Sequence, residues 1–232
     1  KKKTLKGKGY RIKTTLDLDI QKYARSAIDS AKENLTIAED SVFPLFKSSE
    51  NKKRLESAML VSDSKTSQVL AMIGGRNYRS SKFNRATQAM RQPGSVFKPI
   101  IYSLALLSGK RWSDISYVSP LTFGRSYRPR NSRRDYITET TLLRAFYRSM
   151  NSPTLQVGND LGIPNIIKHA KTLGISTPIK EEIGSILGST TTTMTDVNKL
   201  FGVFANNGKR QDHSYILKIT DRNGRVLYDL ED

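Results

Sequence analysis

The longest apolar stretch in the chain, Ile100 to Leu107, is interrupted only by Ser103 and lies between Pro93-Gly94 and Gly109. Proline and glycine are the strongest local stop signals, so the helix suggested by this run is confined to about Ser95–Leu107. Spanning a membrane takes ~20 apolar residues, and this run is far shorter. The chain must therefore organise itself around short elements. Residues 9–16 alternate as a strand, and Asp17 can cap a helix to about Leu35 with Ile20, Tyr23, Ala24, Ala27, Ile28 and Ala31 at helical spacing. Residues 57–63 and 68–74 form a hairpin over Ser64–Ser67, and 76–94 is a polar connection.

Beyond the central helix, 110–137 reads as an irregular basic loop. Thr138 is expected to cap a helix to about Met150, Pro153 to start another, and Pro164 to open a third that Gly174 closes. Asp196–Asn207 is helical and ends at Gly208. Residues 215–230 make a last hairpin over Asp221-Arg222-Asn223-Gly224, where Asn-Gly supplies positive φ. Strands at both ends and helices between them give an α+β class, not the regular alternation of a doubly wound sheet.

Composition narrows the chemistry. The 232 residues contain no cysteine, which excludes a disulfide framework, a thiolate nucleophile and a cysteine-ligated metal. Two histidines, His169 and His213, are too few for a multi-histidine metal centre, and both read as ordinary surface or partly buried residues. The net charge of +18 is concentrated in residues 1–13 and 125–134. Such runs suit an anionic partner or simply a solvated face. No zinc-finger, RNA-binding or basic-zipper pattern accompanies them. Lys1-Lys2-Lys3 leads into polar sequence and not into the apolar core of a signal peptide.

A serine three residues before a lysine can share a helix face with it, and a desolvated amine can then take the hydroxyl proton. The pattern occurs at Ser49/Lys52, Ser62/Lys65 and Ser95/Lys98, and about one chance match is expected in a chain of this length. The first pair falls in a polar loop and the second in a hairpin turn. Only the third opens an apolar helix, where the helix dipole favours negative charge and burial would lower the lysine pKa. The plainer alternative is that Ser95 is an N-terminal cap and Lys98 snorkels.

The surrounding residues carry a resemblance. The stretch Phe83–Pro99, with Gln92-Pro93-Gly94-Ser95-Val96-Phe97-Lys98-Pro99 at its end, resembles the active-site region of class A penicillin-binding proteins, the bifunctional peptidoglycan synthases. Thr14-Thr15-Leu16-Asp17 with Gln21 resembles the opening of their transpeptidase domain, Ala71–Gly75 the strand before the serine, and Pro129-Arg130-Asn131 a Pro-x-Asn element. Ser149-Met150-Asn151, 54 residues after Ser95 and at a helix end, resembles the second motif, Ser-x-Asn. None of Lys3, Lys13, Lys47, Lys65 and Lys171, each followed by Thr or Ser, begins the third motif, Lys-Thr/Ser-Gly.

The resemblance implies a penicillin-binding transpeptidase and serine β-lactamase-like fold: an antiparallel sheet with a large helical subdomain, incomplete at the C-terminus. Residues 1–8 would be a basic tail or linker and 9–232 the N-terminal portion of the transpeptidase domain. It implies a serine D,D-transpeptidase with Ser95 as nucleophile, Lys98 as base, Ser149 as proton relay and Asn151 as a hydrogen-bonding group for Lys98 and substrate. No cofactor or metal is implied. The implied partners are peptidoglycan stem peptides, β-lactams, a missing C-terminal part of the same domain, an upstream glycosyltransferase domain and a membrane anchor. The implied location is the outer face of the bacterial cytoplasmic membrane. Without the third motif the chain alone is expected to be a weak catalyst with open sheet edges. Two other readings are a β-lactam sensor or β-lactamase relative, and a basic module for nucleic acid or anionic cell-wall polymer. The motif run speaks for stem peptides and against nucleic acid. Trp112 reads as packing.

Overall fold

The computed structural model describes residues 9–37, 56–117 and 139–231, with side chains through Ala31 in the first segment. Residues 1–8, 38–55 and 118–138 lie outside the described residues. So do Ser49, Lys52, Thr138 and Pro129-Arg130-Asn131. The chain divides into two compact units: 1–89 with 202–232, and 90–201.

In the first unit, β1 (Arg11–Thr14) leads into α1 (Leu18–Ile37). Asp17 caps α1 as the sequence suggests: its carboxylate accepts from the Asp19 and Ile20 amides at 2.9 and 3.0 Å. The buried stripe of α1 is narrower than expected. Ala24 and Ile28 are buried and Ile20 partly so, whereas Tyr23 is 75% exposed and Ala27 and Ala31 face solvent. This stripe packs on Ala71 and Ile73. These two alternate along β3 (Val69–Ile73), which pairs antiparallel with β2 (Met59–Ser62).

The predicted turn closes this hairpin through Asp63, whose side chain accepts from the Lys65 and Thr66 amides. Gln21 fastens α1 to β3 by bonding both the amide and the carbonyl of Met72. A one-turn helix absent from the sequence reading, α2 (Arg85–Gln88), is capped by Asn84. Asn84 also fills the space over Gly74, where any Cβ would meet it.

The second unit carries α3 (Lys98–Leu107), entered through a 3-10 turn, Gly94–Phe97. There follow β4 (Ile115–Tyr117) and β5 (Glu139–Thr141), which pair antiparallel. Next come α4 (Leu142–Tyr147), α5 (Asn151–Leu161), α6 (Ile163–Thr172), a second 3-10 turn (Ile183–Leu187) and α7 (Met194–Ala205), within which the two units meet in sequence. Three expectations are corrected here. Thr141, not Thr138, caps the helix before Met150, because its hydroxyl reaches the Arg144 amide at 3.2 Å. The next helix begins at Asn151, two residues ahead of Pro153, where proline sits in the first turn without costing a hydrogen bond. Strand pairing also reaches into the segment read as loop, at β4.

The core of this unit gathers Ile100, Ile101, Leu142, Leu155, Ile166, Ile175, Ile186 and Leu200, each no more than 2% exposed. Trp112 stacks on Tyr102 with ring centroids 6.0 Å apart, and Phe146 completes the aromatic group, so the tryptophan is a packing residue.

Back in the first unit, β6 (Ile216–Thr220) runs between β1 and β7 (Val226–Asp229), all antiparallel. In the β6–β7 turn only Gly224 has positive φ, at 85°. Asn223 stays in ordinary backbone because the Asp221 carboxylate accepts from the amides of Asn223 and Arg225. Among the described residues the antiparallel strands form three small sheets and not one.

Candidate active site

The start of α3 sets the site. Ser95 lies on the 3-10 turn, exposed, and Lys98 is the first residue of the α-helix proper. The capping alternative for Ser95 does not hold: the positions capping the 3-10 turn and α3 are Pro93 and Phe97, and neither end has a side-chain cap bond. Three residues separate serine from lysine, yet their surroundings are opposite. The Lys98 side chain is 2% exposed. Its partner cations in the other two Ser/Lys matches give no comparable setting: Lys65 is exposed in the β2–β3 turn, and Lys52 is outside the described residues.

Lys98 Nζ lies within hydrogen-bond distance of four neutral oxygens, which share its three N–H groups. These are the Ser149 carbonyl at 2.5 Å, Asn151 Oδ1 at 2.8 Å, the Ser149 hydroxyl at 3.1 Å and the Met150 carbonyl at 3.3 Å. No carboxylate is among them. Burial therefore acts without a compensating counter-charge and pulls the Lys98 pKa down to about 8. The amine therefore loses its proton more readily than an ordinary lysine does.

Local backbone explains how one tripeptide supplies all four oxygens. Ser149 follows α4 in the left-handed region, with φ of 53°. A non-glycine residue there costs of order 1 kcal/mol, and such conformations cluster at functional sites. The conformation brings both the carbonyl and the hydroxyl of Ser149 to Lys98. Met150, extended, caps α5, and Asn151 is the first residue of that helix.

Sequence reasoning placed Ser95, Lys98, Ser149 and Asn151 together. The structure brings the last three into direct contact and puts Ser95 one turn ahead of Lys98. It adds two residues that the sequence reading did not single out. The Thr154 hydroxyl donates to the Met150 carbonyl at 2.6 Å, and Tyr102 hydroxyl lies 3.0 Å from Thr154 Oγ1. Thr154 gives its single hydroxyl hydrogen to Met150, so the Tyr102 phenol donates to Thr154, and burial pushes that phenol up to about 12. Tyr102 sits four residues after Lys98 and Thr154 three after Asn151. Those helical spacings were the available signal. His169 is half-buried, with Nε2 2.9 Å from the Ser103 hydroxyl and its pKa lowered by burial, away from this cluster and in keeping with a partly buried structural residue.

Comparison with known proteins places this geometry. Residues 57–230 match the family model described as penicillin binding protein transpeptidase domain. The chain is 31% identical over 228 residues to penicillin-binding protein 1A of Rickettsia conorii, covering 95% of this chain and 29% of that protein. It is 35% identical over 179 residues to penicillin-binding protein 1A of Neisseria meningitidis serogroup A, covering 74% and 22%. The chain thus spans less than a third of the length of these curated relatives. Among solved structures, penicillin-binding protein 1A from Haemophilus influenzae aligns with TM-score 0.70 and 28% identity over 75% of this chain and 27% of that one. PonA1 from Mycobacterium tuberculosis in complex with penicillin V aligns with TM-score 0.79 and 23% identity over 98% and 60%, a likeness of fold. The chain belongs to the penicillin-binding protein transpeptidase family.

Proposed function

We propose that this chain carries the acylation machinery of a peptidoglycan D,D-transpeptidase, with Ser95 as nucleophile and Lys98 as its base. The observation that supports this best is the buried Lys98, with no carboxylate partner among the described residues, one helical turn from an exposed serine. Ser95 Oγ attacks the carbonyl between two terminal D-alanines of a stem peptide, and its proton passes to neutral Lys98. The carbon–nitrogen bond then breaks, D-alanine leaves, and an ester to Ser95 remains.

The partners of Lys98 indicate how the proton reaches the leaving amine. Three of the four oxygens are carbonyls, which only accept. Ser149 Oγ is the one group among them that can both accept a proton from Lys98 and donate its own, so Ser149 acts as the relay. Asn151 holds Lys98 through Oδ1, and the family resemblance gives it a second role as a hydrogen-bonding group for substrate. The amine of a second stem peptide then attacks the ester, forms the cross-link and returns the proton to Ser95. The Ser95 amide lies at the open start of the 3-10 turn and supplies one oxyanion donor. Removing such a donor typically costs ~10²–10³ in rate. β-Lactams acylate the same serine.

The partners proposed are therefore stem peptides and β-lactams, and no step needs a metal or cofactor. Residues 9–232 would contribute to a transpeptidase domain on the outer face of the cytoplasmic membrane. No helix among the described residues is long and apolar enough to cross a membrane. The sensor, β-lactamase and nucleic-acid readings gain no support from the relatives. The test is stoichiometric labelling of the intact protein by a fluorescent penicillin. Wild type should label once per chain and Ser95→Ala not at all, and label retained in Ser95→Ala overturns the assignment.

A further inference from the structure

We infer that Gly188, with the segment 188–192 behind it, is a positioning element that fixes the backbone immediately ahead of Ser95. The inference rests on Ser95 being the nucleophile. Three backbone hydrogen bonds tie the two segments. Arg91 and Thr192 exchange both of theirs at 2.9 Å, and the Gly94 amide donates to the Gly188 carbonyl at 3.2 Å. These bonds span the Arg91-Gln92-Pro93-Gly94 run that ends at Ser95.

The approach is close enough to admit only glycine. Gly188 ends the second 3-10 turn in the left-handed region, with φ of 75°. A Cβ there would run into the Gly94 carbonyl oxygen and stand 2.9 Å from the Gly94 nitrogen and 3.0 Å from its carbonyl carbon. All three atoms are backbone, so relief requires moving the peptide that carries Ser95. Gly94 itself has φ of 55° and open space around its own missing Cβ. Its conformation is therefore selected by what holds it, and Gly188 is what holds it.

The segment is in turn anchored from behind. Thr192 is buried, and its hydroxyl donates to Asp196 at 3.3 Å and accepts from Thr177 at 2.8 Å. Asp196, 2% exposed, also accepts from the Ser176 hydroxyl and from the amides of Ser176 and Thr177. Burial works to raise its pKa, but these hydrogen bonds outweigh it and keep the group ionised and acceptor-only. Ser185 and Thr190, both buried, bond each other at 2.7 Å across the turn. None of these groups contacts Lys98. Their effect on acylation passes through the position of Ser95 alone.

The experiment uses the intact protein, with penicillin acylation resolved into noncovalent affinity and the first-order acylation step. Gly188→Ala is compared with Gly109→Ala. Gly109 ends α3 with φ of 90° and nothing within 4 Å of an added Cβ, so it carries the backbone strain without the collision. Gly188→Ala should slow the acylation step about tenfold or more with noncovalent affinity unchanged, while Gly109→Ala keeps the wild-type rate. A pairwise misplacement of 1 Å is known to cost on this scale. Equal rates in the two variants overturn the inference. If Gly188→Ala does not fold, Thr192→Val and Thr192→Ser decide: slowing in valine with recovery in serine supports the positioning role, and a wild-type rate in valine overturns it. If wild type itself is not labelled at Ser95, the functional reading falls first. If it is labelled and every variant matches it, only the positioning role falls.

Discussion

The cores of the two units are built on different terms. In the first, α1 meets β2–β3 through an apolar cluster of Ala24, Ile28, Ala71 and Ile73, with the two Gln21–Met72 bonds beside it. In the second, the buried set includes Lys98, Ser152, Thr154, Ser185, Thr190, Thr192 and Asp196 among the aliphatic residues. Dispersion and apolar burial stabilise both. Buried polar groups add little net stability when satisfied, and each is costly when a partner is lost. The second core is thus a less economical way to hold a fold and a more exact way to hold a geometry. Directional bonds, unlike apolar contacts, specify which atom faces which.

Substitutions that exchange one kind of core for the other would sharpen this contrast or break it. The largest effect is expected at Lys98. Lys98→Met should reduce penicillin acylation by about three orders of magnitude or more, the scale seen when a base is removed from a nucleophile pair. Its pH signature distinguishes it from a packing change. Wild-type acylation should rise with pH and level off above about 8, as the amine loses its proton. Stability should follow a related course. Because the folded-state pKa lies below the ordinary value of 10.5, the unfolded chain binds more protons between about 8 and 10.5, so wild-type stability relative to Lys98→Met rises across that window and is flat below it. Denaturation midpoints at pH 7 and pH 10 check the sign, and a difference that falls with pH would refute a depressed Lys98.

A smaller and oppositely signed pair of effects is expected at Ser149. Ser149→Gly relieves the left-handed backbone, worth about 1 kcal/mol, while deleting the hydroxyl that faces Lys98. Acylation should drop by about 10²-fold, within the range for a proton-transfer group, with thermal stability unchanged or higher. Loss of both together would place Ser149 with the ordinary core. The smallest effect on chemistry belongs to the first unit. Ile28→Val should cost about 1 kcal/mol in a urea melt and leave the acylation rate at the wild-type value. A rate change there would erase the contrast between the two cores.

Much of this was legible in the sequence because the relevant signals are local. The Asp17 cap, the Ser64–Ser67 turn, Gly174 and Gly208 as helix stops, and the run around Ser95 all act within a few residues. What escaped was set by contacts distant in sequence. Tyr23 has the right helical phase to be buried, but among the described residues the β2–β3 hairpin packs on the Ile20–Ala24–Ile28 line. Thr138 looked like the cap because caps are read from residue type, whereas strand pairing of β4 with β5 carries the chain to Thr141 before the helix begins. The four catalytic candidates were visible through the resemblance of the stretches around Ser95 and Ser149 to known family motifs. Tyr102 and Thr154 offered only a helical spacing from those residues, and Gly188 offered no signal, since it matters only for what it faces across the fold.

Gly158 supplies the last link in a ring. A Cβ on it would strike Ile186 Cγ2 and come within 3.0 Å of Ile186 Cδ1, so α5 lies directly on the second 3-10 turn. Asn151 begins that same helix, and Gly188 ends that same turn. Starting from Lys98, one can pass to Asn151, along α5 to Gly158, across to Ile186, on to Gly188 and Gly94, and through Ser95 back to Lys98. A closed linkage of this kind has no free end. A shift introduced at any member is passed to its neighbours, so the spacing between Ser95 and Lys98, the proposed nucleophile and base, also depends on packing on the far side of the helix.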